Sequence, residues 1–456
     1  MGSSARVLSE RYRCPEEFLK LVVPEVLAED VGFFRFGRGV TCYGRSSAGV
    51  VKPRIDEDLY DVSADVTSAD SVLRIPFDPG EIVDNLRLER YPGAQDSWLR
   101  ALAREAYYAA RPILSPSIRR QIQRFQLKGF RNLAFPSWPV DRTVEFICDN
   151  LLLCLIKETA SKGIPFIWFW PEGKRSCAIM THDVDSVLGR DLCTYLMDID
   201  DSFGIKASFQ IVPERCYSVS TEYLSAIRTR GFEVGVQDLN HDGLLFSERK
   251  EFLRRAKIIN QYAKTFNARG FRGAVLYRRP DWLADLDFSF DMSIPNVAHL
   301  DPQRGGCCTI MPYFIGELLE LPVTTTQDYM LFHLLQERSI DLWKTQIELI
   351  TERNGLISFI VHPDYALADD VKPIYKDLLT YLQEAQTARE IWVTLPSDVD
   401  RWWRARSKMR LVFSENEWRI QGDGAERAVV AFARQVDGKL VYQMESGVPK
   451  PSRHLL

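Results

Sequence analysis

The chain has 456 residues, a formal net charge of −4, and hydrophobic and charged fractions of 46% and 26%, the composition of an ordinary soluble globular protein of two or three domains. So weak a charge gives no bulk electrostatic reason to expect a nucleic-acid partner. The longest apolar runs, 151–156 and 164–170, are far too short to span a bilayer, and nine scattered cysteines without a Cys-x-x-Cys pair argue against a disulfide framework or a structural zinc site.

Met1 to Val7 has no apolar core and reads as no signal peptide, so a cytoplasmic location is expected. Residues 1–164 read as a mixed α+β region. Phe33-Phe34-Arg35-Phe36-Gly37 alternates like a strand, and 97–110 is rich in Ala and Arg like a helix. Pro112 and Pro116 break that helix. The amphipathic, basic stretch 117–130 reads as a solvated helix face, with peripheral contact to an anionic membrane as the alternative. Phe135-Pro136-Ser137-Trp138-Pro139 reads as a packed connector, followed by a helix over 142–160.

From 164 to 396 strands and helices alternate. Strands are expected at 177–181, 207–212, 232–236, 270–276, 288–294, 318–323, 356–361 and 391–395. Helical patterns lie at 190–203, 221–230, 248–266, 329–353 and 372–384. Such repetition implies a mostly parallel sheet, and this many strands fit a closed or distorted (β/α) barrel at 165–405. Residues 406–456 carry short strands and turn residues, and read as a small antiparallel β module that Trp402-Trp403 packs onto the barrel.

The chemistry-bearing residues sit at strand ends. Thr181-His182-Asp183-Val184-Asp185 closes an apolar run with two carboxylates. One carboxylate can hold a divalent metal while the other acts as base; the bland alternative is a helix cap or Asx-turn. His241 follows the third strand in Val236-Gln237-Asp238-Leu239-Asn240-His241-Asp242-Gly243, and His362 ends the strand at 356–361. In a parallel barrel all three ends face one rim.

On these segments, positions 175–400 resemble the polysaccharide deacetylase family, the NodB-homology or carbohydrate esterase family 4 enzymes. The longer chain also looks like deacetylase-like proteins of bacterial exopolysaccharide or glycan assembly. The resemblance implies a distorted (β/α) barrel, with Asp183 as general base and Asp185 as metal ligand. Phe271-Arg272-Gly273 matches the motif whose arginine orients the base. Phe290-Asp291-Met292-Ser293-Ile294-Pro295 matches a wall near it, and Val361-His362-Pro363 supplies the acid. His241 would be a metal ligand, most naturally for Zn2+. Where the family places its first metal histidine the chain has Gln237, a poorer ligand. Gln237 or Asp238 is then the candidate third donor. Asp291, Asn240 and Tyr277 are candidate substrate contacts, while His182 is expected to be structural. The implied activity is metal-dependent removal of an N-acetyl group from an amino sugar or glycan precursor. The alternatives are a catalytically impaired glycan-binding or assembly protein and an unrelated metal-free Asp/His hydrolase.

Overall fold

A computed structural model describes residues 5–93, 116–127, 129–159, 163–388 and 390–445. The expected helix at 97–110 lies outside them. Among the described residues no helix is long and apolar enough to cross a membrane.

The central element is a curled, mostly parallel sheet. Its strands are β1 (Ser176–Val184), β2 (Ala207–Ile211), β3 (Glu233–Gln237), β4 (Gly270–Arg272), β5 (Phe290–Asp291), β6 (Tyr313–Ile315), β7 (Leu318–Glu320), β8 (Leu356–Val361) and β9 (Ile391–Thr394). The path runs β6-β7-β5-β4-β3-β2-β1-β8, with β9 beside the first half of β1. All pairs are parallel except β6–β7. The helices between them include α1 (Val187–Ser202), α2 (Thr221–Thr229), α3 (Arg249–Thr265), α4 (Asp341–Thr351) and α5 (Lys372–Thr387).

The two ends of the sheet meet at a seam. Beyond β7, Val323 bridges to Pro295 in parallel. On its other side Thr325 N donates to Ser358 O at 3.3 Å, and Ser358 N donates to Thr324 Oγ1 at 2.9 Å. Thr324 Oγ1 and Thr325 Oγ1 donate to the Leu356 and Ser358 carbonyls at 2.7 and 2.8 Å. Two hydroxyls thus replace part of a strand ladder and satisfy buried backbone groups that a gap would orphan.

Strand periodicity sorts the side chains of β1. Ala178 and Met180 join a core with Leu196 and Met197 of α1 and Leu378 and Leu382 of α5. Cys177 and Ile179 join a second core with Phe290, Leu319 and Leu356. Thr181 and Asp183 share that second face, and His182 shares the first. Accordingly His182 is fully buried, with Nε2 2.9 Å from Asp200 Oδ2 of α1 and its ring beside Tyr375 of α5.

Several elements differ from the sequence expectation. The strand expected at 270–276 ends at Arg272, because Val275 and Leu276 take positive φ. The helix expected at 329–353 divides into a π-helical turn, Tyr329–Leu334, and α4, with Gln336 at φ +60° between them. Ile164–Ile167 belongs to the C-terminal module, not the barrel: it pairs antiparallel with Val430–Val436, which pairs Lys439–Met444. Arg410–Ser414 and Glu417–Gln421 form a separate hairpin. The helix Pro396–Lys408 buries Trp402 and Trp403 against this module.

Candidate functional site

The ends of β1, β3, β4 and β8 converge on one mouth. Arg272, on β4, is fully buried and crosses the interior to β1: its Nη2 donates to Thr181 Oγ1 at 2.9 Å, and Nη1 lies 3.5 Å from Asp183 Oδ1. Gln237, at the end of β3, donates from Nε2 to Asp183 Oδ2 at 3.4 Å. Asp183 is therefore approached by a guanidinium and an amide, both buried. Burial raises its pKa, opposed by the charges of Arg272 and His362.

Asp185 stands two residues further out. Its Oδ2 is 3.2 Å from His241 Nε2 and 3.4 Å from His362 Nε2. Burial works to raise Asp185, but the two imidazoles outweigh it and hold it well below the usual carboxylate range. His241 reaches this position through a loop with left-handed backbone at Asp238 (φ +50°) and at His241 itself (φ +54°). A bidentate pair, Arg255 of α3 on Asp242 at 2.7 and 2.9 Å, clamps that loop.

His362 carries a partner that the motif reading missed. Asp328, fully buried at the head of the π-helical turn, lies 2.7 Å from His362 Nδ1 through Oδ1 and accepts the His362 backbone N–H at 2.7 Å through Oδ2. Burial pulls the His362 pKa down, but the Asp328 charge and hydrogen bonds to Asp185 and Asp328 raise it well above the ordinary value. No local pattern marks Asp328; its only signal is Asp at a helix N-cap, which is ordinary.

The weaker candidates sit as follows. Asp238 is turned into its own loop, where Oδ1 accepts Leu239 N–H at 2.6 Å, and burial pushes it up to about 6. Asn240 is buried beside Asp242 and Arg255. Tyr277 is buried. Asp291 is fully buried and spends its oxygens on Ser293 N and Oγ, at 3.0 and 2.7 Å. Parallel register places Asp291 level with Phe271 and Glu320, and Ser293 Oγ in turn accepts Gly273 N–H beside Arg272.

Among the described residues no group of three His, Cys, Asp or Glu side chains is gathered to hold a metal. What the mouth offers is a carboxylate, Asp185, one imidazole, His241, and an amide. Asp185 Oδ1 and Gln237 Oε1 are both buried acceptors without a donor. His362 Nδ1 is held by Asp328, and its Nε2 faces Asp185 at 3.4 Å, the position of a proton donor beside the cation. An oxygen-rich set with a single imidazole fits a divalent cation held weakly, not a three-ligand zinc site.

No family model matches the chain, and no curated protein matches it. Solved structures do. A protein assigned as a polysaccharide deacetylase from Mycobacterium smegmatis is 16% identical, with TM-score 0.43 over 55% of this chain and 98% of that one. The Puue allantoinase is 11% identical, with TM-score 0.39 over 52% and 92%. A mutant of a CE4 family pseudoenzyme with restored enzymatic activity is 14% identical, with TM-score 0.33 over 50% and 68%. At these TM-scores the likenesses carry no argument about activity, which has to come from the side chains.

Proposed function

We propose that the protein is a hydrolase that removes an N-acetyl group from an amino sugar or glycan precursor. The observation that supports this best is the pairing around Asp185: a carboxylate set by an arginine (Asp183–Arg272) and an imidazole set by a carboxylate (His362–Asp328). An acyl transfer to water needs one group to take a proton and another to give one.

In this reading Asp183 accepts the proton of the attacking water. Arg272 holds that carboxylate oriented from below. His362 presents Nε2 toward the mouth and protonates the departing amine, while Asp328 fixes the ring through Nδ1. Asp185, His241 and the Gln237 amide oxygen would hold a divalent cation, which supplies Lewis acidity toward the acyl carbonyl. The products are acetate and a free amino sugar. A cytoplasmic site of action, on a nucleotide- or lipid-linked sugar, belongs to the same proposal.

One observation favours the second reading, an impaired protein that binds glycan without cleaving it: Gln237 spends its amide N–H on Asp183. Acetate release from an N-acetylglucosamine oligomer decides between them, measured with Zn2+, Mn2+ or Co2+ added. Asp183→Asn and His362→Ala should each lose about 10²–10⁴ in rate. Release no greater than that of Asp183→Asn under every cation would overturn the hydrolase.

A further inference from the structure

One aromatic ring stands beside His362, and two more stand beside that one. Tyr365 is three residues beyond His362, with ring centre 5.0 Å from the imidazole. Tyr329 and His333 come from the π-helical turn that Asp328 caps, with centres 5.7 and 5.0 Å from that of Tyr365. A π turn is wider than an α turn and brings residues four apart onto one face, and the Tyr329 and His333 centres are 5.4 Å apart. All three are partly exposed.

The turn is braced from the N-terminal region. Tyr329 Oη donates to Gln123 Oε1 at 2.6 Å, and Arg124 Nε and Nη2 donate to the His333 carbonyl at 3.1 and 2.7 Å. Both residues lie on the helix Pro116–Gln126. Tyr329 thus has its hydroxyl pinned at one end, which fixes where its ring sits.

We propose that Tyr365 and Tyr329, whose rings are tilted by 38° with His333 edge-on to Tyr365 at 85°, form a stacking ledge for the sugar ring that bears the leaving nitrogen. The inference rests on the hydrolase reading, and geometry carries it. An acid must come within about 3 Å of the atom it protonates, and in an amino sugar that nitrogen is one bond from the ring. The ring must therefore lie against whatever flanks the imidazole, and Tyr365 does. Aromatic faces present apolar area at little entropic cost and suit the C–H face of a neutral pyranose. The proposal also gives the N-terminal region a task, since its helix sets the height of the ledge.

The test uses the full chain, with calorimetric binding of an N-acetylglucosamine oligomer and kcat/KM on that oligomer and on phenyl acetate. Tyr329→Leu and Tyr365→Leu, each checked for an unchanged circular dichroism spectrum, should weaken oligomer binding about tenfold. The ratio of kcat/KM on the oligomer to that on phenyl acetate should fall by a similar factor. Tyr365→Phe keeps the ring face and should stay within about twofold. Oligomer binding unchanged in both leucine variants, or no binding by the wild type, would sink the ledge. Binding that depends on the ledge without acetate release would sink the hydrolase alone, and acetate release untouched by the leucine variants would sink the ledge alone.

Discussion

Gln237→His should convert a weak cation site into a strong one. The side chain is 1% exposed, so its replacement is felt in full. What is lost is one long hydrogen bond to the Asp183 carboxylate, 3.4 Å, worth up to about 1.5–3 kcal/mol. The amide oxygen has no donor, so nothing is lost there. What is gained is a second imidazole beside Asp185 and His241. Even groups that merely support ligands change affinity ~10–100-fold, so a direct ligand should gain at least about 1.4–2.7 kcal/mol in cation binding. The preference should also move toward Zn2+, since imidazole is softer than an amide oxygen. Calorimetric titration with Zn2+ and Mn2+ would compare wild type, Gln237→His and Gln237→His with Asp185→Ala. Thermal melts with cation in excess should show the same order, because ligand at about 100 times Kd stabilises by ~2.7 kcal/mol. Equal affinity in wild type and Gln237→His would refute the reasoning, as would a gain that survives loss of Asp185.

Asp301 gives a pH prediction. Burial pushes it up to about 6, against Arg278 and a hydrogen bond from Gln327. A carboxylate raised in the folded state supports the fold below its unfolded value of 3.8. That support is lost as pH climbs through about 6, at a cost of up to about 3 kcal/mol. Asp301→Asn should therefore narrow the difference in denaturant midpoint between about pH 4 and about pH 7.5; an unaltered difference counts against it. His182→Ala leaves Asp200 short of a buried donor and should cost about 1–3 kcal/mol while acetate release changes little, read from urea melts and initial rates. A large catalytic loss at unchanged stability would put His182 in the chemistry. Glu89→Ala strands the fully buried Arg278 guanidinium, with which Glu89 is paired, and should cost about 3–5 kcal/mol. Glu89→Leu combined with Arg278→Met should recover most of it, and equal melting temperatures for single and double variants would speak against a buried pair.

Much of the site could be read from the chain because it lies on regular strands. Period two places Asp183 inside and His182 outside once β1 is recognised, and strand ends are where a parallel sheet delivers side chains. Asp328 could not be read that way. It is 34 residues before His362, on a turn whose π geometry leaves no periodic trace. Ile164–Ile167 was visible only as an apolar run, since a buried strand is apolar in any sheet; its partner, Val430–Val436, tells where it belongs. The seam at Thr324 and Thr325 has no signature at all, since threonine is common in strands and loops alike.

The second core has an evolutionary consequence. It joins Val7, Phe34 and Leu151 of the first part of the chain, Ile179, Phe290 and Leu356 of the barrel, and Met409 and Ala431 of the C-terminal module in one continuous apolar mass. Recombination at either border of the barrel would remove part of the apolar mass that floors the sheet among the described residues. The three parts are expected to be inherited together. Sequence drift in one must be matched in the others, so the first and last segments should change in step rather than be exchanged as cassettes.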